Sequence, residues 1–280
     1  MIHVALAEIE AISFTAFGVR LVVTVPISLE ESTRALLPPN ADIGDAGEGP
    51  ASVSIDQRNG QLVVTAQDEH IGTTEDPEVA LGMVDAQLRA LVALLAPDHI
   101  FVHAGVVAVG GRAVILPGFT FAGKTTLTRA LVEAGAIYYS DEFAAIDAQG
   151  LVHPYPKPLS IRHLDGSGRS TETSPELLGA RTGSDAIPVG LVAITSYRPG
   201  ARLSPEPLGS GAALLALLGH TIPARTRPRQ AIGTLKAALQ GTTAWMSDRG
   251  EAADAARAIL DSMSLRTHAQ PGHFYTQDHG

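Results

Sequence analysis

Cysteine is missing altogether from the 280 residues. Disulfides, thiol redox chemistry and thiolate metal sites are therefore excluded. Basic charge is also short, with 20 Lys and Arg against 29 Asp and Glu and a formal net charge of -9. A nucleic-acid partner usually needs a basic face, so no nucleic acid is expected. Apolar runs of membrane-spanning length are lacking, so no membrane partner is expected either. The stretch 1–17 has no basic region and carries Glu8 and Glu10, unlike a secretory signal. These absences leave a cytoplasmic protein as the default, in a compartment where ATP is available. What the chain does have is 45% hydrophobic residues, enough for a sizeable core. Its length suits one large domain or two ordinary ones.

The most informative stretch is Gly118-Phe119-Thr120-Phe121-Ala122-Gly123-Lys124-Thr125, which fits G-x-x-x-x-G-K-[ST]. Before it, Ala113–Pro117 reads as a short buried strand. After it, Thr126–Ala134 has helical spacing and stops at Gly135. A strand, a glycine loop and a helix are the context in which this pattern cradles phosphates. Glycines let the backbone bend, its N–H groups turn inward, and the helix N-terminus adds partial positive charge. The expected nucleotide contacts run from Gly118 to Thr126. Lys124 is expected at the β- and γ-phosphates, with the Thr125 hydroxyl on Mg²⁺. The bland alternative is a chance match in an ordinary loop.

Taken in order, residues 11–26 predict a strand pair or one long strand, with Gly18 at a turn or bulge. Glu30–Leu37 predicts a short helix stopped by Pro38-Pro39, and 40–50 a loop. Residues 51–56 and 61–67 flank Arg58-Asn59-Gly60 and read as a hairpin. Asp76-Pro77-Glu78 opens a helix that Pro97 ends. Residues 1–97 carry no evident chemistry and are assigned to a small α+β appendage for recognition or assembly. Residues 98–265 are assigned to the catalytic domain and 266–280 to a flexible tail. Ile100–Val109 is a strand, turned by Gly110-Gly111 into the strand that feeds the loop. Hairpins this close to the loop imply a mixed sheet rather than a purely parallel one. Residues 163–187 read as a loose loop with at most one short helix near Pro175–Leu178, either a lid or an insertion. Gly190–Tyr197 and Thr243–Ser247 read as strands. Gly211–Leu218, Gln230–Leu239 and Ala252–Met263 read as helices.

Asp141 and Glu142 follow the loop by one helix and one strand. If that strand lies beside the loop-bearing one, the two acids end near the γ-phosphate. One carboxylate could hold Mg²⁺ and the other accept a proton from an attacking hydroxyl. Alternatively Glu142 is only a solvated turn residue. His103 stands on an apolar strand, where a lone histidine is more often a satisfied core residue than a catalyst. His153–Arg162 is stiffened by three prolines. Its Lys157 and Arg162 are candidate phosphate or substrate contacts, as is Arg198; surface charge is the alternative for each.

The stretch from His103 through the loop to Tyr139-Ser140-Asp141-Glu142-Phe143 resembles the catalytic core of the HPr kinase/phosphorylase family. The latter motif and His153-Pro154-Tyr155-Pro156-Lys157-Pro158 resemble the shorter HPr-kinase-related proteins of peptide-modification systems, including lasso-peptide precursor kinases. The resemblance covers about residues 98–200. It implies an α/β P-loop kinase core with a mixed sheet, akin to phosphoenolpyruvate carboxykinase, and Mg-ATP-dependent phosphorylation of a serine hydroxyl. Carried over by position, Asp141 matches the proton-accepting aspartate and His103 the active-site histidine. The family's later Glu-x-Arg-Gly segment has no equivalent, which argues against the reverse phosphorylase activity and against HPr as acceptor.

The expectation is an ATP-dependent kinase of a serine-type hydroxyl in a peptide or protein. Lys124, Asp141 and His103 would be catalytic, and Thr125, Asp141 and Glu142 would hold the metal. Two alternatives stand beside it: a kinase of a free serine-like small molecule, and a nucleotide-binding regulatory module without transfer chemistry. A homo-oligomer is compatible with each.

Overall fold

The computed structural model describes residues 8–44, 49, 51–118, 123–162 and 170–269, without the side chains of 161, 162, 170 and 266–269. The chain forms two compact units, Met1–Phe101 with Arg225–Pro228, and Val102–Ala224 with Arg229–Gly280.

The first unit comprises β1 (Ile9–Ala16), β2 (Val19–Pro26), α1 (Glu30–Ala35), β3 (Asp42–Ile43), β4 (Ala51–Arg58), β5 (Gln61–Ala66), β6 (Glu69–Thr74) and α2 (Pro77–Leu95). The strands lie in the order β3-β1-β2-β4-β5-β6, all antiparallel except the β2–β4 pair. Three two-residue turns join neighbours, and both residues of each have positive φ: Phe17-Gly18, Asn59-Gly60 and Gln67-Asp68. Such turns match the twist of paired strands. The third has no glycine, and the sequence reading has no strand at β6. Asp76 Oδ1 accepts the Glu78 amide at 2.8 Å and caps α2. Alternate residues of the sheet (Phe14, Leu21, Val23, Val53, Ile55, Val64) are buried, as are Val84 and Leu88 of α2.

The second unit is built on one mixed sheet. Its elements are β7 (His99–Val109), β8 (Arg112–Pro117), α3 (Lys124–Glu133), β9 (Ile137–Ser140), β10 (Phe143–Asp147), β11 (Leu151–His153), β12 (Leu159–Arg162), β13 (Ser170–Thr173), β14 (Ile187–Tyr197), β15 (Glu206–Pro207), α4 (Ser210–Leu218), α5 (Pro228–Ala238), β16 (Thr243–Arg249) and α6 (Ala252–Ala269). The strand order is β11-β10-β7-β8-β14-β16-β15, with β9 also on β7. β8, β14 and β16 run parallel, whereas β7 is antiparallel to β8 and to β9. β11 pairs with the start of β14 as well, so the sheet curls back on itself.

Helices cover both faces. Val114 and Leu116 pack with Leu127, Leu131, Ala256 and Ile259, on the side of α3 and α6. Ala113 and Ile115 pack with Leu217, Leu235 and Ala238, on the side of α4 and α5. The period-two alternation of β8 is thus buried on both sides, which explains why it reads as a continuous apolar run.

Two expectations need correction. The segment 163–187 is not loose throughout: Ser170–Thr173 pairs antiparallel with Leu159–Arg162, while the short helix expected near Pro175–Leu178 is there as a 3-10 turn. Buried Leu159 anchors this hairpin in the core beside α3, a long-range contact that no local pattern announces. The last helix also continues to Ala269, past the expected start of the tail at 266.

Candidate active site

Gly118 follows β8, and Gly123 precedes α3 with φ 78, in the left-handed region that favours glycine. Phe119, Thr120, Phe121 and Ala122 lie outside the described residues. Lys124, Thr125 and Thr126 form the first turn of α3. That turn contains no acidic residue of its own, and the positive end of a helix favours an anion.

The strand carrying the acidic pair does not lie beside the loop-bearing strand. β9 pairs with β7, and β7 separates it from β8. Two antiparallel pairings make β9 and β8 run the same way, so both end at the same edge of the sheet. Ala104 shows the alignment. It is opposite Pro117 on one side, and on the other its amide donates to the Glu142 carbonyl at 3.1 Å. The strand ends at Ser140, whose Oγ accepts the amides of Glu142 (3.1 Å) and Phe143 (2.9 Å). This turn frees Asp141 and Glu142 from strand alternation.

The Asp141 carboxyl group is raised from 3.8 to about 7. Burial is the largest cause. The Thr125 hydroxyl, close enough to favour the carboxylate, and the charge of Lys124 oppose it, and the Glu142 carboxylate reinforces it. Thr128 lies close enough to favour the carboxylate, but its bond is not well formed: Thr128 Oγ1 and Asp141 Oδ1 are both buried without a hydrogen-bond partner among the described residues. Lys124 is lowered by burial, against the pull of Asp141 and Glu142. Lysine, hydroxyl and two carboxylates therefore converge at the start of α3.

His103 sits at the same edge. Its carbonyl accepts the Gly118 amide at 3.4 Å, its amide donates to the His220 carbonyl at 2.8 Å, and its ring lies 6.2 Å from that of Phe143. The remaining sequence candidates are more scattered. The Lys157 carbonyl accepts the Tyr138 hydroxyl at 2.6 Å, and Tyr138 itself is raised by burial first and then by Asp141. The Arg162 side chain lies outside what is described. Arg198 is exposed and pairs with Asp248 at 3.2 Å. It lines an open groove of about 530 Å³ with Arg202, Ser204, Glu206 and Met246.

Sequence reading passed over three residues of this neighbourhood. Thr128 is one turn along α3 from Lys124, a spacing that could have flagged it. His220 arrives after α4 and is lowered by burial and by Lys124. Arg249 ends β16, and its Nη2 donates to the Gly123 carbonyl at 3.0 Å. The last two come from sequence-distant segments, and nothing local marks them.

Among the described residues, no three His, Asp or Glu side chains cluster to hold a metal by themselves. Mg²⁺ is usually bound by one or two carboxylates with substrate phosphates and water. Thr125 and Asp141, with its unpartnered Oδ1, fit such an ion.

No protein-family model matches the chain, and no curated protein matches it in sequence. Among solved structures it is similar to the HPr(Ser) kinase/phosphatase from Coxiella burnetii, at 13% identity and a TM-score of 0.32. That match covers 60% of this chain and 99% of the other. A likeness this distant carries no weight for chemistry, which rests on the geometry above. Among the described residues no helix is long and apolar enough to cross a membrane.

Proposed function

We propose that the chain is an ATP-dependent kinase that transfers the γ-phosphoryl group to a serine-type hydroxyl of a peptide or protein. The observation that carries this reading is Asp141. Its carboxyl group is buried, raised to about 7, and close enough to the Thr125 hydroxyl and Lys124 for both to favour its charged form. A carboxyl group with affinity for a proton near neutrality is suited to general-base work.

Lys124 and the backbone around Gly123 would bind the phosphates. Thr125 and one of the two acids would hold Mg²⁺, which supplies charge neutralisation when bound. Asp141 takes the proton of the acceptor hydroxyl as its oxygen bonds to the γ-phosphorus. The bond from that phosphorus to the bridging oxygen breaks, and ADP leaves with the electron pair. Lys124 meets the negative charge left on the departing oxygens. His103, fixed through its main chain beside Gly118, orients Asp141 or the γ-phosphate.

The test is incubation of the full chain with ATP, Mg²⁺ and a serine-terminated peptide or free serine, read by mass spectrometry. An added phosphate on the peptide is expected. ATP turnover with phosphate on free serine alone would replace the acceptor. Nucleotide binding without transfer to any hydroxyl would leave the regulatory-module reading.

A further inference from the structure

Arg249 is 2% exposed and is the largest of the fully buried side chains. Its Nη2 donates to the Gly123 carbonyl and its Nη1 to the Gly250 carbonyl, each at 3.0 Å. The guanidinium carbon stands 5.5 Å from the centroid of the Tyr197 ring. The same Gly123 carbonyl accepts the Leu127 amide at 3.1 Å, the first helical bond of α3. Arg249 therefore grips the atom from which the loop helix starts. A Cβ on Gly123 would lie 2.5 Å from Nη2, so glycine is required for this approach as well as for the positive φ.

The charge of this group is poorly compensated. Among the described residues no carboxylate lies within ion-pair distance of the guanidinium, and Nε is buried without a hydrogen-bond partner. Glu251 acts on it only at longer range. An arginine removed from water without a counter-ion is costly, and replacing such a charge with a well-packed apolar side chain is often neutral or stabilising. If Arg249 served stability alone, a carboxylate beside it would serve better than an empty place. Its bond to Gly123 places its charge beside the start of α3, where an anion would bind.

We propose that Arg249 is a positioning residue of the phosphate site, holding the Gly123 carbonyl at the root of the loop and supplying a fixed positive charge that a bound polyphosphate neutralises. This rests on reading 118–125 as a phosphate loop, and it does not depend on the acceptor. The rigid fork matters as well as the charge, because two carbonyls are gripped at once. Tyr197 backs the guanidinium by a cation–π contact and is itself half exposed, so it can be changed without opening the core.

The test uses the full-length chain and inorganic pyrophosphate as probe, with Tm followed against pyrophosphate concentration, with and without Mg²⁺. Wild type should be stabilised progressively, as expected for a ligand that binds the folded state. Arg249→Met should keep the Tm of the ligand-free protein within a few degrees yet lose at least tenfold in apparent pyrophosphate affinity. Arg249→Lys should fall between the two. Tyr197→Leu should lose a few-fold in affinity with little change in ligand-free Tm. In hydrogen exchange of the ligand-free protein, the Leu127 amide should open faster in Arg249→Met and Arg249→Lys than in wild type. Wild-type pyrophosphate affinity in Arg249→Met overturns the proposal while leaving the phosphate loop intact. If Arg249→Met does not fold, wild-type affinity and Leu127 exchange in Arg249→Lys overturn it equally. A wild-type chain that ignores pyrophosphate refutes the phosphate-loop reading itself, and this proposal with it.

Discussion

Replacing Asp141 by Asn should stabilise the protein while stopping transfer. The carboxyl group is raised from 3.8 to about 7, chiefly by burial. That is a roughly thousandfold change in proton affinity, or about 4 kcal/mol at 1.36 kcal/mol per tenfold. The sign follows from proton counts. Between about pH 4 and pH 7 the folded state keeps a proton on Asp141 that the unfolded state has released, so stability falls as pH rises through this window. The penalty is absent below pH 3.8 and complete above about pH 7. Asn is neutral throughout and can still accept from Thr125. The stability difference between Asp141→Asn and wild type, from urea unfolding of the full chain, should therefore widen from near zero at pH 4 toward a ceiling of about 4 kcal/mol at pH 8. A difference that stays flat between pH 5 and pH 8, or a variant less stable than wild type throughout, refutes the argument. The same variant should bind Mg-ATP but lose ~10²–10⁴ in transfer rate, the usual cost of removing a general base. Weakened Mg-ATP binding alongside the rate loss would instead mark Asp141 as a metal ligand.

Further outcomes are expected. Lys124→Ala should lose most Mg-ATP affinity, measured by calorimetry, because it deletes the cation placed for the β- and γ-phosphates; unchanged binding and transfer would contradict the loop reading. Glu142→Gln should move the pH–rate profile to lower pH or raise the Mg²⁺ requirement, since its charge helps keep Asp141 protonated; nucleotide affinity itself should hold. Gly105→Ala would place a Cβ 2.2 Å from Thr128 Oγ1. It should cost about 1–3 kcal/mol by overpacking α3 against β7, and Thr128→Ala should restore much of that in the double variant. Additive losses in urea unfolding would refute that contact.

Local features of the chain were legible without coordinates. The strand before Gly118 and the helix after Gly123, the Asn59-Gly60 hairpin and the Asp76 cap each depend on residues within a few positions of one another, so composition and spacing carry them. β6 was missed because its turn uses Gln67-Asp68, residues that tolerate positive φ less well than glycine. The β12–β13 pairing was missed because β13, Ser170–Thr173, is wholly polar and β12 is only four residues long, anchored by the buried Leu159.

By itself the sequence determined that a glycine-flanked G-x-x-x-x-G-K-T stretch is followed, one helix and one strand later, by two adjacent carboxylates, and that thiol chemistry has no place here. Only the tertiary structure decided how those carboxylates reach the loop, because strand order is set by long-range pairing. β7 stands between β8 and β9, and two antiparallel steps bring their ends to one edge. Burial, which no local pattern measures, raises Asp141 to about 7. It took the register of β14 with β16 to carry Arg249 next to Gly123, 126 residues earlier in the chain. A lone arginine near the end of an apolar strand reads as surface charge until the fold shows what it touches.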